Sequence, residues 1–129
     1  MAKNFYITTP IYYPSAKPHM GHAYSSIIAD FFARFKRMDG HHVHFLTGTD
    51  EHGMKIQRSA EKQNIDTLEF TNKISQTFRD LSKTLNLTNT DFIRTTEERH
   101  KKSVQHLWTE LEKNDDIYLS KYSGWYSVS

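Results

Sequence analysis

Cysteine is absent from this chain, which rules out disulfide staples and thiolate metal sites and suits a reducing compartment. No apolar run approaches the length of a membrane span. The first residues, Met1-Ala2-Lys3-Asn4-Phe5, lack the apolar core of a signal segment. A cytoplasmic protein without membrane contact is the expectation. A strong charge of one sign is missing too. Seventeen basic and 15 acidic residues leave a net charge of +2, which neither demands nor excludes nucleic acid. There is no internal repeat and no low-complexity tract. What is present, 129 residues of which 36% are hydrophobic, is enough for one domain with a core.

The chain is organised around Pro14-Ser15-Ala16-Lys17-Pro18-His19-Met20-Gly21-His22. A β-branched and aromatic run, Asn4 to Thr9, reads as a first strand that Pro10 ends. A long apolar helix pattern follows the His segment, over about His19 to Met38. Strand, turn and helix in that order form the phosphate-binding corner of nucleotide folds. Free backbone N–H groups and the positive end of the helix dipole suit an anion there. Pro18 fits the first helical turn, and Gly21 leaves space for a ligand to approach the backbone. His19 and His22 are three apart, so on a helix they share a face. Two imidazoles so placed can donate hydrogen bonds to a phosphate that gains charge during transfer. The spacing alone leaves two readings open, a phosphate site or a pair of helix-cap residues or partial metal ligands.

Ile27, Ile28, Phe31, Phe32, Phe35 and Met38 form a wide stripe, so this helix is expected to be largely buried. Asp30 among them reads as a structural partner for a nearby base. Val43 to Thr47 reads as a second strand, joined to the first by a right-handed parallel crossover. It leads into Gly48-Thr49-Asp50-Glu51-His52-Gly53. Polar residues at the C-terminal end of a parallel strand lie where open α/β sheets bind ligands. The alternative is a polar turn capping the helix from Met54. Function is favoured, because two such turns each follow a strand and should share one sheet edge. His42 and His44 share a strand face, as metal ligands can, but no second cluster stands at metal-site spacing, so a structural role and no metal are expected.

A short helix is predicted over Met54 to Gln63. A second begins at Asp66, with Glu69 completing a capping box and Phe70, Ile74, Phe78, Leu81 and Leu85 facing inward. Asp91 to Thr95 is a short strand. Thr95 then caps a helix with Glu98 in the box position, whose apolar face is Val104, Leu107, Trp108 and Leu111. Arg94, Arg99, His100, Lys101 and Lys102 make a basic patch that reads as a solvated face, with contact to nucleic-acid backbone the lesser alternative. Asp115 to Leu119 and Lys121 to Val128 look like the strands of a hairpin, and the chain stops mid-pattern at Ser129, which reads as a truncation.

Thr8-Thr9-Pro10-Ile11-Tyr12-Tyr13-Pro14, His19-Met20-Gly21-His22 and Phe45-Leu46-Thr47-Gly48-Thr49-Asp50-Glu51-His52-Gly53 together resemble the methionyl-tRNA synthetases, a class I aminoacyl-tRNA synthetase family. Phe92-Ile93-Arg94-Thr95-Thr96 and Gly124-Trp125-Tyr126-Ser127-Val128-Ser129 continue the resemblance over essentially the whole chain. It implies an α/β fold, a Rossmann-like parallel sheet with flanking helices. Residues 1–114 would be the first half of the catalytic domain, and residues 115–129 the first strands of a connective insertion. It implies ATP-dependent activation of methionine to methionyl-adenylate, with Mg2+ accompanying ATP, and transfer to tRNA(Met). His19 and His22 match the two histidines of the HIGH signature, which contact ATP phosphates and stabilise the transition state. Met20 replaces the more usual Ile or Leu. Gly21 matches the glycine against which adenosine packs, and His52 and Gly53 match the adenosine side of the pocket. Asp50 matches the carboxylate that pairs with the α-ammonium of methionine, and Ile11 and Tyr13 match the loop around the amino acid.

The lysine-rich second signature of the family is nowhere in the chain, so the remainder of a catalytic domain is the first partner implied, and these residues alone are expected to be inactive. Ser127 stands where many members have the first zinc-binding cysteine, so no zinc is expected in this segment. Two competing readings remain. One is a small nucleotidylyltransferase using the same His-x-Gly-His corner. The other is a non-catalytic RNA-binding module derived from a synthetase.

Overall fold

The computed structural model describes residues 3–125. The elements run β1 (Asn4–Thr8), α1 (Met20–Met38), β2 (His42–Thr49), α2 (Met54–Glu61), α3 (Thr67–Thr84), β3 (Asp91–Arg94) and α4 (Glu98–Lys113). One compact unit ends at Glu97 and a second begins at Glu98.

The first unit is built on a parallel sheet in the order β1-β2-β3, with Ile7 opposite Phe45 and Thr47 opposite Phe92. Both connections advance across the sheet in the same direction. Crossovers of one hand must then lay their helices on one face. The side chains of β2 bear this out. Phe45 packs on Ala29 and Ala33 of α1, and Thr49 bonds Ser75 of α3 at 3.0 Å. These β2 residues are an even number apart, so they share a face. The opposite face holds His42, His44 and Tyr6, all exposed, with the Tyr6 and His44 rings stacked at 5.5 Å.

Helix α1 departs from its expected burial. Ile27, Ile28, Phe31, Phe32 and Phe35 are exposed, Phe31 by 64%. The residues turned inward are Ala23, Ser26, Ala29, Asp30 and Ala33, which recur at helical spacing. Small side chains let the helix lie close on the sheet, and the bulky ones fall on its flanks. Asp30 has the structural role expected of it. Its carboxylate takes Arg34 Nε at 2.6 Å and the backbone N–H of Thr88 at 2.6 Å. Those bonds hold its pKa below the usual carboxylate range although burial pushes the other way.

Four other expectations shift. Pro18 precedes the cap at His19 and so lies outside the first helical turn. Strand β2 runs on through Gly48 and Thr49, because β3 pairs there. Asp66 does cap α3, accepting from Leu68 and Glu69 backbone N–H groups, but Glu69 pairs with Lys73 at 2.6 Å instead of reaching back. Helix α4 starts at Glu98, so Thr95 stands ahead of its cap position, and the Thr95 hydroxyl oxygen accepts the backbone N–H of Glu51 at 2.8 Å.

In the second unit, residues 115–125 form neither helix nor strand, so the expected hairpin is not formed among the described residues. Tyr126, Ser127, Val128 and Ser129 lie outside them. A two-stranded hairpin is marginal without further strands or a surface to pack on.

Gly48 is the tightest point of the sheet. A Cβ built there would lie 1.9 Å from the carbonyl oxygen of Ile93, a backbone atom that cannot swing aside. Gly48→Ala is expected to destabilise the protein by about 2–4 kcal/mol, read from the urea unfolding midpoint. A midpoint equal to the parent's would show that β2 and β3 do not approach this closely.

Candidate active site

The histidine corner is a helix cap in which both rings take part. His19 is the N-cap of α1, and its Nδ1 accepts the backbone N–H of Gly21 at 3.1 Å. His22 Nδ1 accepts the backbone N–H of His19 at 3.0 Å. The rings lie against each other with centroids 3.9 Å apart. The cap and ligand readings left open by the spacing are therefore compatible. A neutral imidazole that accepts at Nδ1 carries its proton on Nε2. The two caps fix both tautomers, and among the described residues neither Nε2–H has a hydrogen-bond partner. At Gly21 an added Cβ would stand 3.0 Å from the His19 ring, so a side chain there would press on that ring.

A cleft of about 330 Å³ opens beside the pair, lined by Ile11, Tyr12, Tyr13, Lys17, His19 and His22 among others. Ile11 and Tyr13 are exposed while Tyr12 between them is buried, the alternation of extended chain. Tyr12 was not singled out from the sequence, where Ile11, Tyr12 and Tyr13 are alike apolar and no alternation of polarity marks the buried one. It joins the two loops of the site. Its backbone bridges to β2, donating to Gly48 O at 3.0 Å and accepting from Asp50 N at 2.8 Å. Its ring meets His22 edge-on at 4.7 Å and stacks on Phe78 at 5.5 Å. Its hydroxyl lies 2.9 Å from that of Ser26 in α1. Asp50 is thus tied through one residue to the histidine corner.

Asp50, His52 and Gly53 follow β2 on its C-terminal edge and do not line the cleft itself. Among the described residues the Asp50 carboxylate accepts no hydrogen bond, and it is half-buried. His52 is exposed, with Nε2 3.3 Å from the carbonyl oxygen of Thr95. Gly53 starts α2 at φ 127, a conformation that favours glycine.

Glu51 and Arg94 were also missed. The Glu51 carboxylate is fully buried, and Arg94 grips it at 2.6 and 2.8 Å through Nε and Nη2. Arg94 therefore does not belong to a solvated basic face. Nothing in Asp50-Glu51-His52 says which carboxylate turns inward. Among the described residues no group of three or more metal-ligating side chains is gathered, and no helix is long and apolar enough to cross a membrane.

The family model for class I tRNA synthetases (M) matches residues 5–129. Methionine–tRNA ligase of Listeria monocytogenes is 54% identical over 125 residues, covering 97% of this chain and 19% of the relative. Methionine–tRNA ligase of Rickettsia bellii is 54% identical over 128 residues, covering 99% of this chain and 25% of the relative. The structure of Mycobacterium tuberculosis methionyl-tRNA synthetase bound by methionyl-adenylate superimposes with a TM-score of 0.92 at 46% identity, covering 98% of this chain and 25% of that one. The chain spans about a fifth to a quarter of the length of these relatives. The sheet and its helices are the Rossmann-like core of that synthetase class.

Burial and then the neighbouring His19 hold the His22 pKa below its ordinary value of 6.5. A lowered folded value means that the unfolded chain takes up this proton first as pH falls. The His22 contribution to stability is therefore present above about pH 6.5 and is withdrawn as pH falls from there through the lower folded value. NMR titration should show the His22 ring protonating at lower pH than a free imidazole. Titration at or above that value would show that burial and the neighbouring His19 do not act on the ring as the structure places them.

Proposed function

The chain belongs to the class I tRNA synthetases (M), and from that membership we propose that it carries the first part of a methionine–tRNA ligase. In this reading the enzyme activates methionine with ATP and passes the methionyl group to tRNA(Met) for protein synthesis in the cytoplasm. What carries the reading is the double cap, two imidazoles held side by side at a cleft with neither Nε2–H bonded among the described residues.

In the activation step a carboxylate oxygen of methionine attacks the α-phosphorus of ATP. The bond to the pyrophosphate oxygen breaks, and negative charge builds on the phosphoryl oxygens. His19 and His22 donate to those oxygens from positions set before substrate arrives, which is where preorganised donors act most strongly. ATP enters with Mg2+, which offsets charge on its phosphates. Asp50 receives the α-ammonium, Ile11 and Tyr13 enclose the amino acid, and Gly21, His52 and Gly53 lie on the adenosine side. In the second step a terminal ribose hydroxyl of tRNA attacks the methionyl carbonyl and AMP departs. Selection of an apolar side chain rests on pocket shape, where one methylene is worth ~1–3 kcal/mol.

The remainder of a catalytic domain is the partner this reading requires. Parallel sheets are covered on both faces, yet here Tyr6, His42 and His44 on one face are exposed, and α1 exposes Ile28, Phe32 and Phe35. Large apolar side chains left exposed in this way suit an interaction surface. We assign residues 1–114 to the first half of the catalytic domain and 115–129 to the start of a connective insertion, with no zinc held by this segment.

Methionine-dependent pyrophosphate exchange tests the assignment. The 129 residues alone should give none. In the intact protein His22→Ala should slow exchange by about 10²–10³-fold with the fold retained. An exchange rate unchanged by that substitution would remove His22 from the chemistry.

A further inference from the structure

Two carboxylates stand side by side after β2 and have opposite fates. Asp50 accepts no hydrogen bond among the described residues, while Glu51 is saturated. Glu51 Oε1 takes Arg94 Nε at 2.6 Å and the Thr49 hydroxyl at 2.8 Å, and Oε2 takes Arg94 Nη2 at 2.8 Å and the Thr96 hydroxyl. Arg94 Nη2 also reaches Asn72 Oδ1 on α3 at 2.7 Å. The backbone of the same loop is held as well. Glu51 N–H donates to the Thr95 hydroxyl at 2.8 Å, and the His52 ring meets the Thr95 carbonyl at 3.3 Å.

The geometry points to Glu51 and Arg94 as a positioning pair that sets the place of Asp50 and His52 by clamping their loop to the end of β3. This rests on the synthetase reading above, in which Asp50 holds the methionine ammonium. A buried ion pair is a poor source of net stability, because desolvating both charges offsets most of their attraction. Its planar two-point fork does fix a position, which a hydrophobic pair would not. The carboxyl stays ionised in place. Burial raises its pKa, and the bonds from Arg94, Thr96 and Thr49 outweigh that and hold it low. The clamp fixes the loop from one side as Tyr12 O fixes Asp50 N–H from the other. Three successive residues, Asp50, Glu51 and His52, are thereby anchored while the Asp50 carboxylate is left free.

The test uses the intact protein and steady-state pyrophosphate exchange with varied methionine and ATP, beside thermal unfolding. Glu51→Gln keeps the size and removes the charge. The pair Glu51→Leu with Arg94→Met serves if Glu51→Gln does not fold. Either should raise KM for methionine roughly tenfold or more, since a small misplacement of a positioning group is costly. KM for ATP should move less. Arg94→Lys, which keeps charge but loses the fork, should fall between parent and Glu51→Gln. Asp30→Asn, at a buried ion pair outside the site, should lower Tm and leave KM for methionine at the parent value. A folded Glu51→Gln or double variant whose KM stays within about twofold of the parent overturns the proposal, as does an equal KM shift in Asp30→Asn. Asp50→Asn separates the two levels of the argument. Loss of methionine affinity there, with none in Glu51→Gln, sinks the positioning pair and leaves the function standing. Absence of exchange in the unaltered protein sinks the function itself.

Discussion

Tyr12 is the residue on which the site depends. It belongs to neither a strand nor a helix, yet its backbone extends the sheet beside Thr49 and its ring closes the core against Phe78 and Phe92. One main chain therefore links the loop after β1 to the loop after β2, and one side chain links both to the start of α1. Hydrogen bonds at 2.8 and 3.0 Å fix the register, and burial of the ring fixes the distance. Burying an aromatic of this size contributes about 1.5–3 kcal/mol toward the cost of ordering the loop.

From that constraint the chemistry follows in order. Register at Tyr12 sets Asp50 against the Ile11–Tyr13 loop. The ring at Tyr12 abuts His22, whose Nδ1 closes the cap and whose Nε2 keeps the proton. The same bonds that end the helix also orient the donors, so no separate device is required to choose a tautomer. The neutral state of His22 is favoured by burial and by its neighbour, so it donates without adding a full charge.

Much of this was legible in the sequence. The strand, helix and strand over Asn4 to Thr47 followed from β-branched runs and helical periodicity. Placing both polar turns on one edge followed from parallel topology. The His-x-Gly-His corner and Asp50 carried the family resemblance. Legibility failed where several side chains of one type competed for the inside. Alternation cannot tell that Tyr12, between Ile11 and Tyr13, carries the packing until a partner such as Phe78 is known. Asp50 and Glu51 are equally polar, and only the location of Arg94, 43 positions on, decides which is buried. The apolar flank of α1 misled for a related reason. Hydrophobic residues report burial somewhere, and here the alanines face the sheet while the large side chains face outward.

The most direct test is a crystal structure of the intact protein with a non-hydrolysable methionyl-adenylate analogue. The account predicts the phosphate surrogate within about 2.7–3.2 Å of Nε2 of both His19 and His22, with Nδ1 still capping α1 and the analogue's ammonium at Asp50. An analogue seated elsewhere than this sheet edge, or a histidine pair that abandons its cap to bind, would contradict it.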